Sequence, residues 1–304
     1  MPNNEVESME TQELVAEKIK EGNCILFLGA GVHRPPPEDS EKWDYPEEQR
    51  LCTARELAEE LANECHYKKK FPKELSLDLQ RVSLCFEESL GRDELVNSLT
   101  RHLKDGKKPS PALMMLASLP FKIFITTNYD LLLDDALIEF KKEPYRIVYN
   151  PKSNLPTNDI VKDPTDQQPL LFKMHGDLNQ RDSIVITDED YITFVQRMSD
   201  KDALHPVPQT VRYRMQRWPI LFVGYSLRDY NLRLIFRTLR WHVDPANFPR
   251  AYSIDKSPDP LILQLWQNER RFITFVTQDL WTFVPWLFKK VKGEEYEHKQ
   301  AQSN

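Results

Sequence analysis

Five short apolar runs, each ending at a small or polar residue, constrain the fold of this chain more than any other feature. They are residues 24–28 (CILFL), 122–126 (KIFIT), 170–174 (LLFKM), 220–223 (ILFV) and 251–254 (AYSI). They are too short for helices and largely apolar rather than alternating, which is how a strand covered on both faces reads. Residues 272–276 (FITFV) are expected to add a sixth strand, and residues 183–186 (SIVI) a further short β segment. Helical stretches separate these runs, so the expected class is α/β, a Rossmann-like doubly wound parallel sheet. In such a sheet ligands bind at the carboxyl ends of the strands, near the point where the strand order reverses.

The stretch 50–119 between the first two strands has helical spacing. Leu57, Leu61 and Cys65 recur four apart, and Leu95, Leu99 and the pair His102–Leu103 recur similarly. A helical insert subdomain is therefore expected at 50–119 within one domain covering 1–304. Residues 34–46 and 150–168 are proline-bearing and without period, so they read as long loops, of the kind that are usually functional or mobile.

Composition excludes several classes. The first twenty residues are polar and acidic, which does not suggest a secretory signal, and no apolar run approaches the roughly 20 residues that span a bilayer. A cytoplasmic protein without membrane partners is expected. The net charge of −6 argues against whole-surface attraction to nucleic acid and leaves direct nucleic-acid binding through a local patch open. The four cysteines, Cys24, Cys52, Cys65 and Cys85, have no CxxC pairing, so no zinc ribbon and no other metal site are expected.

The strand ends carry the chemistry. After the first run comes Gly29-Ala30-Gly31-Val32, a tight exit that lets backbone N–H groups approach a diphosphate; Arg34 stands where a third glycine of the usual fingerprint would be. After the second comes Thr126-Thr127-Asn128-Tyr129-Asp130, where Asn128 reads either as a turn or cap residue or as an uncharged group for a ribose hydroxyl or a water. After the third comes His175-Gly176-Asp177. Histidine is the side chain suited to take a proton near neutral pH, although a lone histidine is more often a satisfied core residue. After the fourth comes Gly224-Tyr225-Ser226-Leu227-Arg228-Asp229, whose Ser226 can cap a helix or bond a phosphate.

The ordered set GAG, TTNYD, HGD, GYS resembles the sirtuin superfamily, and within it the sirtuin-like NAD-hydrolysing domains of bacterial anti-phage defence proteins. The resemblance runs over residues 23–276. It implies that NAD is the substrate, with Gly29, Ala30 and Gly31 at the diphosphate and Asn128 and His175 beside the nicotinamide ribose. Gly224 and Ser226 would hold the adenine-side ribose and phosphate. Thr127, Asp130, Tyr225 and, loosely, Asp255 are the remaining NAD-contacting positions. The chain departs from the deacetylating members at two places. Residues 176–223 contain no cysteine where those enzymes carry a four-cysteine zinc module. His33-Arg34-Pro35-Pro36-Pro37 also stands where they have a serine and an Ile-Pro-Asp-Phe-Arg run.

The activity implied is an NAD+ nucleosidase that releases nicotinamide and ADP-ribose, serving anti-phage defence by NAD depletion. Asn128 would orient the ribose or the water, and His175 would act as base. A protein deacylase or ADP-ribosyltransferase is the second reading, and a non-catalytic NAD- or nucleic-acid-sensing subunit the third. Asp130 and Asp177 read as capping or surface residues, Tyr225 as a support. Because unrestrained NAD hydrolysis is toxic, control by homo-oligomerisation or by a partner such as an AAA+ ATPase is expected.

Overall fold

The computed structural model describes residues 2–297 except 39, 41, 75, 154–162, 199–204, 226, 228–248 and 268–272, and for residues 2–9 the backbone alone. The strands are β1 (Ile25–Leu28), β2 (Ile123–Thr126), β3 (Tyr145–Val148), β4 (Leu170–Lys173), β5 (Ile220–Val223), β6 (Ala251–Ile254) and β7 (Ile273–Val276). They form a parallel sheet in the order β3-β4-β2-β1-β5-β6-β7. The chain builds leftward from β1 through β4 and then crosses to β5 on its other side, so the order reverses between β1 and β5. That junction is where a doubly wound sheet opens a crevice.

Alternation along the strands sorts the core into two layers. Leu26, Leu28, Phe124, Leu171, Leu221 and Val223 face one way, against helices α1 (Pro2–Lys20), α6 (Pro111–Ser118), α7 (Leu132–Glu139) and α11 (Leu280–Lys292). Ile25, Phe27, Ile123, Ile125, Phe172 and Phe222 face the other way, against α8 (Asp188–Arg197), α9 (Gln209–Met215) and α10 (Pro260–Gln267). Both faces are covered, which is why the runs carry so few polar residues.

All six expected strands begin and end within a residue of the sequence reading, and Ile220–Val223 and Ala251–Ile254 agree at both ends. β3 was not foreseen. It is an edge strand with Tyr145 and Arg146 exposed and Ile147 buried, so no apolar run marks it. The β segment expected at 183–186 is absent. Arg181–Ser183 form a single 3-10 turn, and residues 184–186 run irregularly with one backbone bond, Val185 N to His175 O at 2.9 Å. Their apolar side chains have another cause, since Ile184 and Ile186 pack under the insert helices and Val185 under the sheet.

Within 50–119 lie α2 (Ala54–Glu64), α3 (Tyr67–Lys70), α4 (Leu79–Leu90), α5 (Arg92–Leu103) and α6. Thr53 and Glu56 close a capping box at the start of α2. Leu57, Leu61, Cys65, Leu95, Leu99 and Leu103 share one buried cluster, whereas α6 belongs to the sheet's own layer. The described residues of 34–46 follow an irregular path, as expected; residues 154–162 of the second expected loop lie outside the described residues. Among the described residues no helix is long and apolar enough to cross a membrane; α11, which holds the WTFVPWLF stretch, has 13 residues with Pro285 inside.

Candidate functional site

The turns after β1 and β5 are packed into each other. Gly29 N bonds Val223 O at 3.0 Å and Gly31 N bonds Gly224 O at 2.9 Å. Gly224 has φ +69°, and a Cβ there would meet Val32 N at 2.2 Å; a Cβ on Gly29 would meet Gly224 O at 2.4 Å. These glycines are needed for turn-on-turn contact at the sheet's switch point. Ala30 is exposed and Gly31 half-buried, so part of the GAG backbone remains open to a ligand.

A single 3-10 turn, Ala30–His33, follows instead of a helix. Arg34 precedes a proline and takes ψ 143°, and three prolines in a row supply no N–H groups for further helical turns. Ser110, which caps α6, donates to Val32 O at 2.8 Å, and the Trp281 indole donates to Pro35 O at 2.9 Å. The proline segment is thereby tied to α6 and α11.

The turns after β2 and β4 lie side by side. Thr126 Oγ1 donates to Leu28 O at 3.1 Å and accepts from Asn128 N at 3.0 Å. Met174 N bonds Thr126 O at 2.8 Å, and Leu178 N bonds Tyr129 O at 3.1 Å. Thr127 and Asn128 are half-buried. The helix-start function open to Asn128 falls instead to Asp130, whose Oδ1 accepts from Leu132 N at 2.9 Å. His175 is buried, with Tyr191 and Phe194 of α8 standing edge-on to its ring at centroid distances of 5.2 and 5.5 Å.

Asp177 corrects the expectation of a surface carboxylate. It is fully buried and pairs with Lys173 Nζ at 2.7 Å and with Arg146, although its Oδ1 does cap the turn through Asn179 N at 2.8 Å. Arg146 Nε also pairs with Asp134 Oδ1 at 2.7 Å, and burial pushes the Asp134 carboxyl above the usual range. Lys173 Nζ donates in addition to Asp130 O. One buried ammonium thus joins the turn that carries Asn128 to the turn that carries His175.

The remaining expected positions divide. Tyr225 is half-buried and edge-on to Phe27 at 5.4 Å, on the β5 turn. Asp255 follows β6, where its Oδ1 accepts from Ser257 N at 3.0 Å, two strands from β1. Ser226, Arg228 and Asp229 lie outside the described residues. Among the described residues no group of three or more His, Cys, Asp or Glu side chains is arranged to hold a metal.

Sequence reasoning missed several residues here, Lys173, Arg146, Tyr191 and His33 among them. A lysine inside the apolar run LLFKM was the available signal for Lys173. Tyr191 gave none, since it lies sixteen positions beyond His175 and meets it only through the fold. His33 is buried, and neither ring nitrogen has a hydrogen-bond partner among the described residues; burial lowers its pKa, partly opposed by the charge of Asp130.

A doubly wound parallel sheet with glycine turns at its switch point and an asparagine and a histidine on adjoining strand exits has the α/β architecture that takes ligands at its strand ends. Residues 122–274 match the SIR2-like domain model, and the chain belongs to that family. It is 28% identical over 228 residues to an NAD(+) hydrolase ThsA of Enterococcus faecium, covering 74% of this chain and 42% of that protein. It is 25% identical over 237 residues to an NAD(+) hydrolase ThsA of Acinetobacter baumannii, covering 76% and 42%. It is 24% identical over 265 residues to Defense-associated sirtuin 2 of Bacillus subtilis, covering 86% and 23%. The chain thus spans less than half the length of these curated relatives.

Proposed function

We propose that this chain is an NAD+ glycohydrolase acting in anti-phage defence, a single NAD-binding domain whose 50–119 insert is part of the same unit. The observation that carries the reading is the bond network that fixes the Asn128 and His175 turns beside each other, next to the GAG exit of β1. The names of its relatives, two NAD(+) hydrolases and a defense-associated sirtuin, support the same reaction.

In that reaction the C1′–N bond of the nicotinamide riboside breaks and water adds at C1′. The products are nicotinamide, ADP-ribose and a proton. The leaving group departs neutral from a cation and needs no acid. The site must instead support developing positive charge on the ribose and admit one water. Asn128 orients the ribose or that water without adding charge, and His175 accepts the water's proton. Gly29, Ala30, Gly31, Thr127, Asp130, Gly224, Tyr225, Ser226 and Asp255 make up the surrounding NAD contacts. The protein works in the cytoplasm without a metal, and self-assembly or a regulatory partner restrains it.

Incubating the purified chain with NAD and separating the products tests the reading. Nicotinamide and ADP-ribose should appear in equal amounts with no peptide added. Release of nicotinamide only with an acylated peptide would overturn hydrolysis in favour of deacylation.

A further inference from the structure

We propose that Tyr191 is a positioning residue for His175, and that Arg92 of the helical insert holds Tyr191 where it acts. This role rests on His175 being the base of the proposed hydrolysis. Tyr191 Oη lies 3.4 Å from His175 Nδ1, and the two rings stand at 82°. Phe194, one helical turn further along α8, closes on the imidazole at 88°. Two aromatic edges from one helix thus fix the imidazole plane.

For Nε2 to accept a proton from water, the neutral ring must carry its own proton on Nδ1. Tyr191 Oη is then the acceptor for that Nδ1–H. Tyr191 supports that tautomer by accepting from it and exchanges no proton itself. Orientation of a base by a third group is the recurring logic of such sites.

The first turn of α8 is held firmly. Thr187 and Asp190 form a capping box, and Asp190 Oδ2 accepts from Ile186 N and Thr187 N, both at 3.0 Å. The same oxygen pairs with Arg92 Nη1 at 2.8 Å. Arg92 is the first residue of α5, pairs with Glu87 of α4 at 2.8 Å and also donates to Ile184 O. It is largely withdrawn from solvent, with 15% of its side chain exposed, so these are not screened surface pairs. Val185, between the two anchor points, bonds His175 O through its N–H and accepts from Tyr129 Oη at 2.9 Å. The insert therefore reaches the imidazole through one guanidinium and one residue of helix backbone.

Tyr191→Phe keeps the ring edge and removes the oxygen. In the full chain, kcat for nicotinamide release should fall about tenfold or more, with KM and thermal midpoint unchanged. Nitrogen-15 NMR of the His175 ring should find the Nδ1–H tautomer dominant in the wild type and a mixture in Tyr191→Phe. Arg92→Met should move the tautomer ratio the same way. Unchanged tautomer ratios in Tyr191→Phe would overturn the positioning role, as would an unchanged kcat in a wild-type background that His175→Ala inactivates. Unchanged ratios in Arg92→Met alone would remove the insert from it. A wild type that releases no nicotinamide would instead defeat the proposed hydrolysis, while the NMR comparison would still decide the role of Tyr191.

Discussion

Lys173 and Asp177 form an ion pair at 2.7 Å with both side chains cut off from water, the lysine being 1% exposed and the aspartate 0%. The same ammonium holds the carbonyl of Asp130, so its removal would strand a buried carboxylate and loosen two turns together. Breaking a buried pair from one side costs about 3–5 kcal/mol, and the Arg146 contact to Asp177 places this one toward the lower end. Lys173→Met should therefore lower the thermal midpoint sharply, and Lys173→Met combined with Asp177→Leu should recover part of the loss. A single variant within about 1 kcal/mol of wild type would contradict the cluster's role.

Gly224 and Gly293 both have positive φ, +69° and +81°, but only Gly224 is enclosed. Alanine at Gly293 pays only the left-handed conformation, about 1–2 kcal/mol. Alanine at Gly224 adds a collision with the backbone of Val32, so its unfolding midpoint in urea should fall further than that of Gly293→Ala. Equal losses would mean that the β1 and β5 turns separate without cost.

Asn128→Ala and His175→Ala should each reduce nicotinamide release by at least about a hundredfold, with little change in melting temperature for Asn128→Ala, whose side chain is only half-buried. His175 is packed between two rings, so His175→Gln is the better probe of chemistry without loss of volume. Activity retained in both histidine variants would remove that residue from the mechanism.

His33 predicts the pH dependence of stability. Burial lowers its folded-state pKa below the ordinary value of about 6.5, so the unfolded chain binds the extra proton first. The stability this contributes is complete above about pH 6.5 and is lost as pH falls from there toward the lowered folded value. Melting curves from pH 8 to pH 5 should decline more steeply for wild type than for His33→Gln. Parallel curves would show that the imidazole does not stay neutral in the folded protein.

The central sheet was legible because strands covered on both faces leave continuous apolar runs, and the insert because Leu57, Leu61, Leu95 and Leu99 keep a helical period. β3 was not, since an edge strand that carries an exposed Tyr145 and the charged Arg146 has no such run. Residues 183–186 misled for the opposite reason: three apolar residues in a row are buried there by two different clusters rather than by a ladder. The strand-end motifs named the candidate residues, but the partners that order their turns, Lys173, Arg146, Tyr191 and Arg92, come from a strand interior, an edge strand, a later helix and the insert. Their spacing along the chain carries no period, and only the folded sheet brings them together.

The registry of β1 also has a consequence in time. Ile25 pairs with Ile123 on one side and with Ile220 on the other, so the first strand made is enclosed only once β5 exists. Its edge toward β5 stays unsatisfied until most of the chain has emerged, and the crossover to β5 closes the most distant pairing of the sheet. Such long-range parallel pairing is intrinsically slow and leaves apolar strands open to wrong neighbours meanwhile. Refolding from denaturant should accordingly be slow and sensitive to protein concentration, with the glycine contact between the β1 and β5 turns among the final interactions to form.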